Sequence, residues 1–384
     1  MFDTVIIGAG YAGLVMAERL ASEQNEQVLV IERRQHIGGN AYDRFDTNGV
    51  LIHEYGPHIF HTRSQEVWNY LSQFTEWHYY EHKVLARVDG MEVPIPFNLN
   101  TIEQVFPADL AHRMQNKLIN LLGYNVKVPI LKLKEQNDTD LKFLADYVYE
   151  KVFLNYTLKQ WGIGPEDLDP TVTARVPVYI SRDDRYFQDE YQGLPKFGYT
   201  EMFKKMIDHP NIHMFMNTRY QDVMTVSEQG NQLFGQPFKG KIIYTGMIDE
   251  LFDFCYGELP YRSLQFEYDT YDTEYKQSVG QLNSPNSYAF TRTTEFKHLT
   301  GQQHPKTTIA REYPQAYHRG ENTAYYPIIA DENQEKYKQY KNRAKQLSNV
   351  HLVGRLAEYK YYNMDAVVAT ALKLYNKLSI DRIT

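Results

Sequence analysis

Cysteine is almost missing from this chain: one, Cys255, in 384 residues. A single thiol makes no internal disulfide, so no disulfide framework holds the fold, and a reducing compartment suits it. No uninterrupted apolar run approaches the roughly 20 residues that a membrane-spanning helix needs. The first residues, Met1-Phe2-Asp3-Thr4, carry neither the basic cluster nor the apolar stretch of a secretory signal. Together these absences point to the cytoplasm. An excess of basic charge is lacking too. The 41 Lys and Arg against 48 Asp and Glu leave a net charge of −7, which disfavours a broad nucleic-acid-binding face. An anionic small substrate would then be held by a few local arginines rather than by the field of the whole surface. Repeats of 20–50 residues and low-complexity tracts are also lacking, which excludes solenoid architectures.

Hydrophobic residues make up 42% of the chain, enough for a large core, and its length suggests two to three domains of roughly 150 residues. Tyrosine is abundant, with 32 copies that dominate the aromatic content. Its flat apolar face and hydroxyl suit sugars and nucleotides, as they also suit interfaces and cores.

Along the chain, Thr4–Ile7 reads as a strand, followed by a glycine-rich turn, a helix to about Leu20 and a second strand at Gln27–Ile31. That order opens a parallel sheet. Val84–Val88 and Met91–Ile95 flank Asp89-Gly90, a type I′ hairpin signal. Thr101-Ile102-Glu103-Gln104 has the form of a capping box. Leu141, Leu144, Ala145, Val148 and Val152 share one helix face. Alternating strands return between 259 and 315, with Leu264, Phe266 and Tyr268, then Tyr288–Arg292 and Thr307–Tyr313. Lys241–Tyr244 and Val350–Val353 read as further parallel strands, and a last helix near Asp365 buries Val368, Leu372 and Tyr375.

Gly8-Ala9-Gly10-Tyr11-Ala12-Gly13 is G-x-G-x-x-G between a strand and a helix. The first glycine makes the tight turn, the second lets backbone approach a pyrophosphate, and the third lets helix and strand pack closely. A pyrophosphate then sits on the helix N-terminus, where unpaired N–H groups and the dipole favour negative charge. Glu32 closes the second strand, where a carboxylate accepts hydrogen bonds from a ribose and repels the 2′-phosphate of NADP. FAD and NAD share the ADP half that this motif reads. The continuation Glu32-Arg33-Arg34-Gln35-His36-Ile37-Gly38-Gly39-Asn40 resembles the E-x-R-x-x-x-G-G extension of the glutathione-reductase-like flavoproteins, which lines FAD. Val350-His351-Leu352-Val353-Gly354-Arg355 is similar to that superfamily's last strand near the flavin, with Arg355 where Asp is usual. No second G-x-G-x-x-G marks a nicotinamide domain, so a two-nucleotide reductase is disfavoured.

Further motifs resemble those of bacterial UDP-galactopyranose mutases. These are Tyr55-Gly56-Pro57-His58-Ile59-Phe60-His61-Thr62, Asn155-Tyr156-Thr157-Leu158-Lys159-Gln160-Trp161-Gly162 and Ala174-Arg175-Val176-Pro177-Val178. Asp184 through Asp189, Gly193-Leu194-Pro195-Lys196, Gly198-Tyr199 and Arg355 through Asp365 continue the match over essentially the whole chain. His82 departs from it, where other members can carry Asn.

The resemblance implies an α/β fold with a Rossmann-like FAD-binding domain, a helical insertion domain and an antiparallel β-sheet domain. The FAD domain is expected to be discontinuous over 1–80, 193–258 and 336–384, the helical substrate domain with its mobile loop at 97–178, and the sheet domain at 81–96, 179–192 and 259–335. It implies interconversion of UDP-galactopyranose and UDP-galactofuranose without net redox change, supplying galactofuranose for cell-surface glycans. Reduced FAD provides the nucleophile, N5, and UDP is the leaving group. Arg175, Arg292 and His61 are the implied catalytic residues. Arg175, Arg292, Tyr325 and Tyr361 face the diphosphate, and His82, Tyr156, Thr157, Trp161, Tyr186, Phe187 and Asn283 face the uridine or sugar. Gly8, Gly10, Tyr11, Ala12, Gly13, Glu32, Arg33, Arg34, Gly39, Asn40, His58, Ile59, Tyr220, Arg355, Tyr362, Asn363 and Met364 are the implied FAD contacts. No metal is expected; UDP-galactose and UDP-galactofuranose are the small-molecule partners, and a homodimer is expected. The competing readings on this scaffold are an amine-oxidase-like oxidase or desaturase, and a flavin-free binder similar to Rab GDP-dissociation inhibitors.

Overall fold

A computed structural model describes residues 2–162, 164 and 177–380. Thr4–Ile7 and Val28–Ile31 are four-residue, β-branched-rich runs buried at every position, the pattern of strands covered on both faces. They join Ile212–Phe215, Lys241–Tyr244 and Val350–Leu352 in a five-stranded parallel sheet. Thr4–Ile7 lies at its centre, so strands from the start, middle and end of the chain complete one nucleotide-binding layer. Alternate residues serve different cores: Ile6 and Val30 point to the side of helix Tyr11–Gln24, whereas Val5 and Ile31 point to the other. Helix Met364–Ile380 packs along Tyr11–Gln24, burying Val368 and Leu372 and half-burying Tyr375.

A second sheet has seven strands in the order Tyr326–Pro327, Tyr261–Tyr271, Thr307–Ala316, Arg292–Glu295, Gln281–Asn283, Val84–Val88 and Met91–Ile95. It is antiparallel except where Gln281–Asn283 runs parallel to Val84–Val88. Asp89 and Gly90 both take positive φ, 48° and 83°, as the type I′ signal requires. The strand expected over Tyr288–Arg292 begins only at Arg292. Pro285 has no N–H for a ladder, Ser284 and Asn286 favour turns, and the segment closes as a loop through Ser284 N–H to Thr291 O.

Residues from Phe97 to Trp161 are mainly helical around a separate apolar cluster. Its first helix begins earlier than the Thr101 signal suggests. Asn98 is the N-cap: its side chain accepts from Thr101 N–H at 3.0 Å while Thr101 Oγ1 accepts from Asn98 N–H. Helix Thr139–Val148 is capped by Asp138 and buries the expected Leu141, Leu144, Ala145 and Val148. It continues through a wider, π-type turn, Tyr149–Leu154, into helix Asn155–Trp161. That turn breaks the 3.6-residue phase, so Val152 and Phe153 stay with the helical core while Trp161 joins a tyrosine cluster elsewhere. A small sheet of Phe60–Thr62, Tyr191–Pro195 and Trp77–Tyr79 packs on the core of the nucleotide-binding layer. No helix among the described residues is long and apolar enough to cross a membrane.

Candidate active site

The glycine turn is built as its spacing requires. A Cβ on Gly13 would lie 1.9 Å from Gly8 O, and one on Gly39 would lie 3.0 Å from Gly10 Cα. The two glycine turns therefore face each other with no room for side chains. Helix Tyr11–Gln24 starts with no side-chain cap and no acidic residue in its first turn, leaving its N–H groups for an anion. Glu32 is buried and accepts from Ala9 N–H and Arg34 N–H, both at 2.8 Å. Arg34 donates to Asn40 at 2.9 Å and lies over Tyr55, while its buried Nη1 has no partner among the described residues. An orphaned buried guanidinium nitrogen beside an uncapped helix start and a Cβ-free cradle fits the pyrophosphate and ribose of a dinucleotide.

Other expected cofactor contacts divide into two groups. The side chains of Tyr11 and Ala12 turn into the core, Tyr11 against Tyr199 and Phe203, so only their backbone belongs to the cradle. Arg33 reaches toward Glu250 at 3.9 Å, and Tyr220 packs edge-on to Tyr244 in the field of the same Glu250. His58 and Ile59 precede the Phe60–Thr62 strand. Burial pushes the His58 imidazole down to about 3, so it is neutral, and its Nδ1 lies 2.8 Å from Gly56 O. Arg355 donates to Tyr362 O at 2.8 Å and lies over Tyr361, while Tyr362 hydrogen-bonds Glu358. Met364 opens the last helix.

One face of the seven-stranded sheet carries the polar centre. In register across four strands stand Asn283, Arg292, Glu312 and Phe266. Directly opposed residues share a face, so the ladder places these side chains in one row. Arg292 holds Glu312 through Nε at 2.8 Å and Nη2 at 2.7 Å, a two-pronged pair with Glu312 almost fully buried. Burial alone would lower the Arg292 pKa, but Glu312 and the nearby Tyr156 and Tyr326 hydroxyls raise it, so the guanidinium stays charged. Around it Trp161 stands edge-on to Tyr326 and Tyr361, with centroids 5.2 and 5.3 Å away. Thr157 is buried on the same short helix, whose carbonyls at Lys159 and Gln160 are capped by Arg262. Tyr325 turns to Tyr55 and Phe266, on the Arg34 side.

A stack of rings borders this centre. His61 lies flat on Phe187, centroids 3.6 Å apart, and Phe187 faces His82 at 5.9 Å, with Tyr186 edge-on to both Phe187 and His82. His61 Nδ1 is 2.8 Å from Asp189, which this hydrogen bond holds below the usual carboxylate range, and Asn363 approaches Nε2 at 3.4 Å. The structure thus brings together Arg292, His61, His82, Tyr156, Thr157, Trp161, Tyr186, Phe187, Asn283 and Tyr361. Arg175 lies outside the described residues. Sequence reasoning did not single out Glu312, Asp189, Tyr326 or Arg262. Glu312 had no local signal, because its link to Arg292 exists only in strand register. Tyr326 had one, the Tyr-Tyr pair, whose rings meet different neighbours: Tyr325 meets Tyr55 and Phe266, and Tyr326 meets Trp161 and Tyr361.

A dinucleotide cradle joined to a cationic, tyrosine-walled cleft defines a flavoprotein-type scaffold with a site for an anionic, nucleotide-like substrate. The family model for UDP-galactopyranose mutase matches residues 151–361, and one for an NAD(P)-binding Rossmann-like domain matches residues 6–74. UDP-galactopyranose mutase of Mycoplasma pneumoniae is 35% identical over 97% of this chain and 94% of its own. A probable UDP-galactopyranose mutase of Klebsiella pneumoniae is 36% identical over 97% and 93%, and dTDP-fucopyranose mutase of Escherichia coli 33% identical over 97% of both. The chain belongs to the UDP-galactopyranose mutase family. Among solved structures, a reduced UDP-galactopyranose mutase superimposes with TM-score 0.74 at 14% identity, covering 98% of this chain and 94% of that one. Putrescine oxidase bound to putrescine superimposes at 0.59 and 12% identity, covering 99% of both, a likeness of fold alone.

Proposed function

We propose that this chain interconverts UDP-galactopyranose and UDP-galactofuranose with FAD as its cofactor, the supply step for galactofuranose in cell-surface glycans. The observation that carries this reading is Arg292, charged, half-buried and walled by tyrosines on the sheet row beside the flavoprotein cradle. When bound and reduced, FAD supplies the nucleophile, N5, for the anomeric carbon, which is why no protein nucleophile is required. Gly10, Gly39, Glu32, Arg34 and Asn40 would hold its ADP half.

The protein's own work is binding and charge. Arg292 donates to the diphosphate, and the contact strengthens as negative charge gathers on the departing UDP. Glu312 keeps the guanidinium oriented, and Tyr326 and Tyr361 offer hydroxyls to the same phosphates. Arg175, carried over from the family resemblance, supplies the second cation. Tyr186 offers a ring face to the uracil with Phe187 beside it, Asn283 hydrogen-bonds it, and Tyr156 and Thr157 flank it. His61, oriented by Asp189, presents Nε2 toward the sugar and cofactor side. We further infer the discontinuous division into FAD, helical and sheet domains at the boundaries given above, a homodimer and a cytoplasmic location.

Dithionite-reduced protein incubated anaerobically with UDP-galactofuranose is expected to form UDP-galactopyranose, read by chromatography, and the oxidised protein to form almost none. Turnover appearing only with oxygen and an amine would replace this reading with the oxidase one.

A further inference from the structure

Asn283 does not stand alone. Behind it, three further polar side chains, from two segments of the chain, form a continuous line. Gln281 precedes Asn283 by two residues on the same strand face and donates from Nε2 to Asn283 Oδ1 at 3.1 Å; both residues are buried. The buried His82 hydrogen-bonds Gln281, and its Nδ1 lies 3.2 Å from the Tyr80 hydroxyl. That hydroxyl oxygen accepts from the Lys83 backbone N–H. Its own hydrogen remains available to His82, and a neutral His82 that donates to Gln281 through Nε2 needs that hydrogen at Nδ1.

Burial holds the His82 pKa near 3, so the ring is neutral and has one donor and one acceptor nitrogen. With Nδ1 accepting from Tyr80, Nε2 carries the hydrogen and gives it to the Gln281 carbonyl. The Gln281 amide N–H can then only donate onward, and Asn283 Oδ1 is the acceptor. The polarity set at Lys83 and Tyr80 is transmitted link by link. At the end of the line Asn283 has its carbonyl occupied and its NH2 hydrogens left for the cleft, beside Arg292.

We propose that Tyr80, His82 and Gln281 are positioning residues that lock Asn283 as a donor-only reader of the nucleoside base. The site accepts a base with a carbonyl at that edge, as in uracil, and rejects one with an amino group there, as in cytosine. The inference rests on the reading of Asn283 as a base contact.

The test compares UDP, CDP and inorganic pyrophosphate binding to the purified flavoenzyme by competition titration, with flavin absorbance confirming the fold. The unaltered protein is expected to prefer UDP to CDP by about tenfold or more, since the wrong base leaves an amide unpaired. Gln281→Met keeps the volume but frees the Asn283 amide to flip. It should cut that preference at least about fivefold, mainly by weakening UDP, leave pyrophosphate binding unmoved and raise KM more than it lowers kcat. Tyr80→Phe, a milder change, should move the ratio in the same direction. Asn283→Ala should abolish the preference, and adding Gln281→Met to it should change nothing more. A preference lost with Asn283→Ala but kept with Gln281→Met overturns the relay and leaves the base contact standing. A preference kept with Asn283→Ala overturns the base contact itself.

Discussion

Arg292 has two roles in the proposed reading, and they pull in different directions: it is held by Glu312 within the protein, and it binds the anionic substrate in the cleft. Its side chain keeps 24% of its surface accessible, against 2% for Glu312. Removing the arginine strands a buried carboxylate. Breaking a fully buried pair costs about 3–5 kcal/mol, and the partial exposure of Arg292 brings the expected loss to about 2–3 kcal/mol. Arg292→Met should therefore lose turnover by at least about a hundredfold and lower the urea midpoint. Adding Glu312→Leu should restore most of the midpoint and none of the turnover. Arg292→Lys keeps the charge but not the fork, and its activity should fall between those of the unaltered protein and Arg292→Met. Steady-state assays under dithionite beside urea melts separate these effects. The arginine was implied by the family resemblance alone; its partner 20 residues later was not, because only the Thr307–Ala316 register brings Glu312 opposite.

Secondary elements decide where the chemistry can occur. The G-x-G-x-x-G turn was readable because its glycines answer to steric limits that hold in any fold of this kind. Gly13→Ala would push a methyl to within 1.9 Å of Gly8 O and 3.2 Å of Ile6 Cγ2. The helix cannot yield without leaving the strand, so the variant is expected to purify colourless, with flavin absorbance lost. The π-type turn at Tyr149–Leu154 was not readable. The apolar residues around it fit a plain helical period, and only the packing of Val152 and Phe153 on one core and Trp161 on another reveals the added residue. The missing strand at Tyr288–Arg292 has the opposite lesson. Its alternation was real, but Pro285 and Asn286 close a loop before the ladder can start.

Over the whole molecule, buried histidines set the response to acid. His53, His58 and His82 are each pushed by burial from an ordinary value of 6.5 to about 3. Between those values the unfolded chain binds a proton at each position and the folded chain does not. Stability therefore falls as pH drops below 6.5, by about 1.4 kcal/mol per pH unit for each histidine. Asp249 acts in the other direction: burial raises it from 3.8 to about 6, so below pH 6 the folded state gains a proton first and offsets one histidine. The melting temperature should be nearly flat from pH 8 to 7 and decline steeply from 6.5 to 6. His53→Gln should make that decline shallower by about a third; an unchanged slope would mean that these rings do not govern it.

The sequence alone determined the nucleotide cradle, its opening strand–helix–strand order, and the family. Each of these rests on local rules: the volume of glycine, the period of apolar residues, and motif spacing along one chain. Tertiary structure decided the composition of the cleft. Strand register paired Arg292 with Glu312 and Asn283, and the folding of distant segments stacked His61 on Phe187. It also aligned Tyr80, His82 and Gln281 behind Asn283. Such contacts depend on how far one strand slides past another, and a slip of one residue would turn every one of these side chains to the opposite face.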